Sequence, residues 1–545
     1  MQPKNIIELL LTNALTKLMV NEPVDIEIEV PNEKANGDFS TNLAMKLARI
    51  LKKPPFIIAQ MIVDTFEDTL AFEKIDVAKP GFINFYVDKT IYLSLIPTIN
   101  NQGASYGQST LGQGEKINIE FVSVNPTGSL HIGHARGAAA GDSLARVLKK
   151  AGYDVTKEFY VNDGGNQIHN LAISIDVRYK ELFNIDVTMP EDGYYGKEII
   201  DLAKRIKEEV GDYYLKTDGY LYFKKYGVDY LLSQLKKDLE AFNVTFDVWF
   251  SEASLYETKQ VEATLEYLNA NGHTYTLDDA IWIKSSLYGD EKDRVIVKSD
   301  GSYTYLLPDI AYHKNKLSRG FTKLIDILGG DHHGYVPRLK AAIEMVGGNK
   351  DMLEVDLLQM VKVMQDGEEV KMSKRSGKAI TLIDLIEEVG ADPIRYFFAA
   401  RSLNTHMELD LDLALKETNE NPVFYAQYAH ARIASILRSA NERNITLDLT
   451  LKDFKHLSSD KALELLNILS TYQNVIEESA SKRIPHKITQ YIQRLATALH
   501  SYYADEIVLT NDAEATKERL ALLHAVKIVL SDALSLVGVH AKERM

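Results

Sequence analysis

The chain has 545 residues, 45% of them hydrophobic and 26% charged, with a net charge of −15 and no cysteine. Its length exceeds one ordinary domain, so three or more compact units are expected. The missing cysteines exclude disulfides, thiolate metal sites and cysteine nucleophiles, and the negative balance excludes nucleic-acid binding by the surface at large.

The first twenty residues are apolar, but Glu8 and Lys17 interrupt them. Their spacing suits an amphipathic helix rather than a signal peptide. No run approaches the ~18 apolar residues of a membrane span, so a cytoplasmic protein is expected. After this helix come a strand-like VDIEIEV at 24–30, a second helix to Lys52 and a strand-like GFINFYV at 81–87. Residues 1–112 thus read as an N-terminal α+β module, ended by the glycine-spaced linker QGASYGQSTLGQGEK.

KINIEFVSV at 116–124 is a short, β-branched apolar run and reads as a buried parallel strand. The loop NPTGSL, a helix to about Lys150 and the strand YDVTKEFYV complete a βαβ unit. Residues 170–290 read as an insertion in an α/β domain spanning 113–345, with a clear helix in DGYYGKEIIDLAKRIKEEV. Strand signals return in DRVIVKSD, SYTYLL and KLIDILGGDHH. A connecting region at 346–415 reads strand, turn, strand and then a basic loop. Beyond it, 416–545 read as an all-α bundle punctuated by Asn421–Pro422 and Pro485. That segment carries 16 Lys+Arg against 16 Asp+Glu, so residues 1–415 hold the entire net charge. The fold class is multidomain α/β, with a Rossmann-type parallel-sheet core.

No GxxxxGK[ST] or GxGxxG motif occurs, so a nucleotide would have to be held in another way. One candidate is VNPTGSLHIGHARG, at 124–137. His131 and His134 share one face of a helix's first turn, where free N–H groups favour anions. Gly133 leaves room for a flat base, and Gly137 and Gly141 make a thin face toward the sheet. Alone, the pair reads as surface histidines. At a strand-to-helix turn it reads as a ligand site, because open α/β sheets bind there. The second candidate is KMSKRSGK at 371–378, with four basic residues in eight positions. Alone it is a solvated loop, but Lys371 and Lys374 suit the charge of a leaving pyrophosphate.

HIGH and KMSK in this order resemble the two signatures of class I aminoacyl-tRNA synthetases. NGDFSTNLA, PGFINF, YVNDGGNQI, DRVIVKSDGSYTYLLPDIAYH, GGDHHGY and NENPVFYAQYAHARI narrow the resemblance to bacterial-type arginyl-tRNA synthetases over essentially the whole chain. The resemblance implies ATP-dependent activation of arginine as an adenylate, with Mg²⁺ accompanying ATP, and transfer to the 3′ adenosine of tRNA(Arg). It implies catalysis by His131, His134, Lys371 and Lys374. For ATP it implies His131, Gly133, His134, Asp331, His332 and Lys374. For arginine it implies Glu120, Ser123, Asn125, His134, Tyr305 and Asp309, since a guanidinium seeks carboxylates and a flat partner.

Tyr425, Tyr428 and Arg432 share a helix face suited to stacking on unpaired bases. Of these the resemblance implies Tyr425 and Arg432 as tRNA contacts, together with Asn421, which also suits a helix cap, and Asn84. No protein-held metal is expected, and the oligomeric expectation is a monomer. Two positions depart from the family pattern: Arg375 stands where the lysine signature has serine, and Pro308 where alanine is expected, which would shift Asp309. A small nucleotidylyltransferase lacks the helical bundle, and a non-catalytic RNA-binding paralogue would not need both signatures.

Overall fold

Five short apolar strands form the parallel sheet at the centre of the chain, in a computed structural model that describes residues 3–31, 33–370 and 380–545. Their order is Leu353–Leu358, Lys323–Gly329, Lys116–Glu120, Asp154–Val161, Val248–Ser251. From the central Lys116–Glu120 the chain fills one side of the sheet, then crosses to the other. The order therefore reverses between Lys116–Glu120 and Lys323–Gly329, and the crevice beyond their C-terminal ends is where such a sheet takes a ligand.

The strand expected at 116–124 stops at Glu120, because Val122 and Ser123 take φ of 70° and 40°. Two consecutive left-handed residues cannot continue a strand, and for β-branched Val122 this is unusual backbone. The helix expected to end near Lys150 is Ile132–Lys150. Its glycine face works as expected at one position: the Phe121 ring lies where a Cβ on Gly141 would stand.

The insertion is less continuous than its composition indicates. Helices Gly165–Glu181, Lys197–Val210 and Tyr220–Ala241 pack around their own tyrosine-rich core, but Val248–Ser251 returns to become the sheet's edge strand. Four mixed residues, VWFS, give too short a signal to read. Thr274–Leu277, Ala280–Ile283 and Arg294–Val297 form a separate antiparallel sheet. SYTYLL makes only a bridge, Val297 to Tyr303, before the Leu306–Ser318 helix begins. Leu353–Leu358 belongs to the parallel sheet, so a boundary at 345 runs through that sheet.

In the N-terminal module, Phe82–Val87 lies between Phe39–Thr41 and Phe72–Ala78. VDIEIEV is extended but forms a single bridge, Glu29 to Ser40. Its alternation is real, since Val24, Ile26 and Ile28 pack on the core while the acids face out. The linker is also not loose: the buried Tyr106 hydroxyl donates to the Leu469 carbonyl at 2.9 Å. Pro422–Glu442, Asp460–Ser470, Tyr472–Ser481, His486–Asp505 and Ala513–Leu536 make the helical C-terminal region as expected. Among the described residues, no helix is long and apolar enough to cross a membrane.

Candidate active site

His131 is the N-cap of the Ile132–Lys150 helix. Its Nδ1 accepts from the Gly133 N–H at 3.1 Å, and the His134 Nδ1 accepts from the His131 N–H at 3.3 Å. This is a capping box made of two imidazoles, their rings stacked 3.5 Å apart. A Cβ on Gly133 would meet the His131 ring at 3.0 Å, so glycine lets the ring fold back over the turn.

Burial keeps both rings neutral, pushing His134 down to about 3, with His131 adding to the effect. A neutral imidazole whose Nδ1 accepts carries its proton on Nε2. Each histidine therefore keeps one N–H donor free of the helix, in a fixed tautomer. The expectation that the helix's own first N–H groups meet an anion needs correction in part, because the Gly133 N–H is spent on His131.

Lys371 and Lys374 lie outside the described residues. The chain just beyond them returns to this turn: Thr381 bridges to His131, and the Leu382 N–H donates to the Leu130 carbonyl at 2.7 Å. On the other side, the left-handed turn after Glu120 aims the Ser123 Oγ at the neighbouring strand, where it accepts from the Tyr160 N–H at 3.1 Å. Asn125 Nδ2 donates to Gln167.

Below the turn is a set of buried charges. Lys316 Nζ lies 2.6 Å from Glu120 and 3.0 Å from Asp326. His313 contacts the Asp309 carbonyl through Nδ1 at 2.8 Å and Asp326 through Nε2 at 3.0 Å. Both partners are acceptors, so the ring is doubly protonated. Burial works against charge on Asp326, yet Lys316 and His313 hold its carboxyl well below the usual range. Arg319 grips Glu158 through two nitrogens, at 2.6 and 2.8 Å.

Two carboxylates stand apart from this balance. Asp309 accepts from the Tyr335 hydroxyl, and Glu252 is hydrogen-bonded to Tyr160; neither forms a direct ion pair among the described residues, although His313 and Lys316 attract Asp309 from a distance. Burial and then repulsion from Asp309 push Glu252 up to about 7, and burial pushes Asp309 up despite Tyr335. Glu120 is pushed up by burial against the pull of Lys316. A pocket with two unpaired acids is costly when empty and suits a desolvated cation.

Pro308 fits the first turn of its helix. It is the third residue of the Leu306–Ser318 helix, where the N–H it lacks has no intrahelical acceptor. Tyr305 and Asp309 are one turn apart as expected, but Tyr305 is 80% exposed and stands at the rim. Asp331 and His332 are also exposed, in the Gly330–Tyr335 turn beyond Lys323–Gly329, at the same sheet edge as His131. Glu252, Gln167 and Tyr335 were not among the expected site residues. The last two sit inside YVNDGGNQI and GGDHHGY, while Glu252 becomes visible only once VWFS is known to be a parallel strand ending at the ligand edge.

A second site lies in the helical region. Tyr425, Tyr428 and Arg432 line one wall of a cleft of ≈ 570 Å³, with His500 and Tyr503 opposite. His500 lies 4.4 Å from the Tyr425 ring and stacks at 5.9 Å on Tyr428, and Arg432 sits 4.6 Å over Tyr503. Two expected contacts are interior residues instead. Asn421 is 2% exposed, caps Pro422–Glu442 and donates to the Ala414 and Lys416 carbonyls, so no polar atom is left for a ligand. Asn84 is 4% exposed and accepts from Ser40 Oγ at 2.7 Å, on the sheet face opposite the core residues Ile83 and Phe85. Among the described residues no cluster of His, Asp and Glu could hold a metal ion.

Three family models match in succession. Residues 5–87 match the arginyl tRNA synthetase N terminal domain, 96–396 the catalytic domain of class I (R) tRNA synthetases, and 426–545 the DALR anticodon binding domain. The chain is 52% identical over 526 residues to the arginine–tRNA ligase of Bacillus subtilis, covering 96% of this chain and 94% of that one. It is 53% identical over 523 residues to that of Bacillus velezensis, covering 95% and 94%. The fold is similar to that of Thermus thermophilus arginyl-tRNA synthetase, with a TM-score of 0.77, 21% identity and full coverage of both chains.

Proposed function

The chain belongs to the arginyl-tRNA synthetase family and joins arginine to tRNA using ATP; from that premise we propose how its residues divide the work. The observation that carries the reading is two acids that form no ion pair among the described residues, the half-buried Asp309 and the buried Glu252, beside a turn that presents two neutral imidazole donors. The arginine guanidinium enters between Asp309 and Glu252, with Glu120 flanking it and Tyr305 closing from the rim. A planar, permanently charged group satisfies several acceptors at once, which a lysine ammonium does with poorer geometry. Ser123, Asn125 and His134 hold the amino-acid end.

ATP lies over Gly133, between His131 and the Asp331–His332 turn. The arginine carboxylate oxygen attacks the α-phosphorus, pyrophosphate leaves and arginyl-adenylate forms. The ribose of the tRNA's 3′ adenosine then takes the arginyl group and AMP leaves. His131 and His134 donate Nε2–H bonds to phosphate oxygens as charge grows, and Lys371 and Lys374 neutralise the pyrophosphate. No covalent enzyme intermediate is needed. Mg²⁺ would come with the phosphates of the nucleotide. The Tyr425–Tyr428–Arg432 cleft, with His500, takes unpaired anticodon bases by stacking, consistent with the neutral charge of that region. The reading extends to a monomeric enzyme of the cytoplasm that activates arginine only with tRNA bound.

Pyrophosphate exchange with each amino acid, with and without tRNA, tests this. Exchange is expected with arginine and no other amino acid, and only when tRNA is present; exchange with lysine and not arginine would overturn the pocket assignment. The pocket also carries a pH signature. Bound guanidinium requires Glu252 ionised, and in the free enzyme its pKa is about 7. Above that value the pocket is ready; below it a proton must leave on binding. The KM for arginine should therefore rise about tenfold per pH unit below 7 while kcat changes little. Steady-state kinetics between pH 5.5 and 8.5 would show this, and a flat KM would contradict it.

A further inference from the structure

The cleft and the histidine turn belong to different parts of the fold, yet a short run of polar contacts joins them, partly exposed at Asp392 and fully buried at Arg395 and Asp142. Gln427 lies on the cleft helix between Tyr425 and Tyr428, turned inward and 2% exposed. Its Nε2 donates to Asp392 Oδ2 at 2.8 Å and to the His540 carbonyl at 2.8 Å. The other Asp392 oxygen accepts from the His540 N–H at 3.1 Å and contacts its Nδ1 at 2.9 Å. Asp392 opens the short helix Ala391–Ala399, and one turn later Arg395 is fully buried. Arg395 donates to Asp142 at 2.7 Å and to the carbonyls of Val537, Phe242 and Asn243 at 3.0–3.1 Å. Asp142 is equally buried, and it lies on the Ile132–Lys150 helix that His131 caps.

A buried ion pair contributes little net stability against apolar residues of similar volume, so its stabilising effect is a weak reason for its presence. What it does impose is geometry, because a displaced member leaves a buried charge short of a partner. Asp142 is further tied to Lys157 of the neighbouring strand at 2.9 Å, while Arg146 pairs with it at 2.7 Å from the same helix, so the catalytic helix is held at this point from two sides. Through Arg136 the same helix is fastened to the carbonyls of Gln359, Ser402 and Thr405 at 2.7–2.9 Å, in the region that follows the sheet. A shift of the cleft helix on occupancy would therefore act through Gln427 on Asp392 and through Arg395 on the helix carrying both histidines.

We propose that Gln427, Asp392, Arg395 and Asp142 are positioning residues that couple occupancy of the aromatic cleft to the placement of His131 and His134. The proposal rests on reading that cleft as the anticodon site. Coupling of this kind is a free energy between sites and is measured by a thermodynamic cycle, not by proximity.

The test compares a tRNA(Arg) transcript with one whose anticodon bases are replaced, in wild type, Gln427→Met and Asp392→Asn. Wild type should show a higher kcat on the cognate transcript. In both variants this ratio should fall about tenfold, with KM for arginine and for tRNA within about twofold of wild type. An equal fall on both transcripts, a change confined to the tRNA KM, or no wild-type ratio would overturn the proposal. Melting curves identify any folding defect; Asp392→Asn keeps side-chain volume and carries the test if Gln427→Met melts early. Tyr428→Ala separates the two readings. An unchanged tRNA KM would remove the cleft assignment and the coupling with it. A raised tRNA KM with proportional losses in Gln427→Met would remove the coupling alone.

Discussion

Asp309→Asn should lower kcat/KM for arginine by about a hundredfold to a thousandfold, the usual scale for removing one member of a buried charge pair. The substitution keeps shape, and the asparagine carbonyl can still accept from Tyr335. What it loses is the acceptor that faces the incoming cation, replaced by an amide N–H that points at the guanidinium. The loss should fall mainly on KM, because the contact is made in the ground state and the transition state alike.

A second consequence separates this account from a general disturbance of the site. Asp309 is one of the causes that hold Glu252 high, after burial. Without its charge the Glu252 carboxyl should ionise more readily, moving the pH midpoint of arginine KM below 7. Steady-state kinetics of Asp309→Asn across pH reads both effects, and an arginine KM within threefold of wild type would sink the pocket assignment.

The histidine turn predicts an equally large effect of a different kind. His131 does two things: its Nδ1 caps the helix and its Nε2–H remains a donor. Asparagine is a good N-cap, so His131→Asn keeps the first function and loses the second. Its melting temperature should match wild type, while kcat falls about 10²-fold to 10³-fold, the scale of one lost donor to developing charge. His134→Ala should lower kcat as far. His131→Ala should add a stability loss of ~1 kcal/mol from the missing cap. Because burial keeps the pair neutral, kcat should show no histidine titration near pH 6.5. Wild-type kcat in His131→Asn would remove the catalytic role and leave only the cap.

Much of this arrangement is legible in the order of residues. The β-branched run before NPTGSLHIGH, the glycine–alanine face of the following helix and the strand-poor C-terminal region are local patterns with local causes. They set a strand–turn–helix with histidines at the helix start, and a helix presenting Tyr425, Tyr428 and Arg432 together. Pro308 shows the limit of reading by pattern. It looks disruptive as an unexpected residue and is harmless at a helix position whose N–H has no partner.

What local pattern cannot supply is the surroundings of a polar residue. Asn84 and Asn421 look like surface asparagines, yet both are buried and hydrogen-bonded inside. Glu252 looks like one acid among many. Only the return of VWFS to the sheet edge sets it against Asp309, 57 positions away in sequence. Lys316 beneath Glu120 and Arg395 against Asp142 are likewise contacts across nearly 200 residues or more. The sequence by itself determined the class of fold, the two signature motifs and the family they point to, because these rest on periodicity and turn chemistry within a few residues. Only the tertiary structure decided which acids remain unpaired and which polar groups are spent on the interior, because desolvation and pairing depend on neighbours that the chain brings together from far apart.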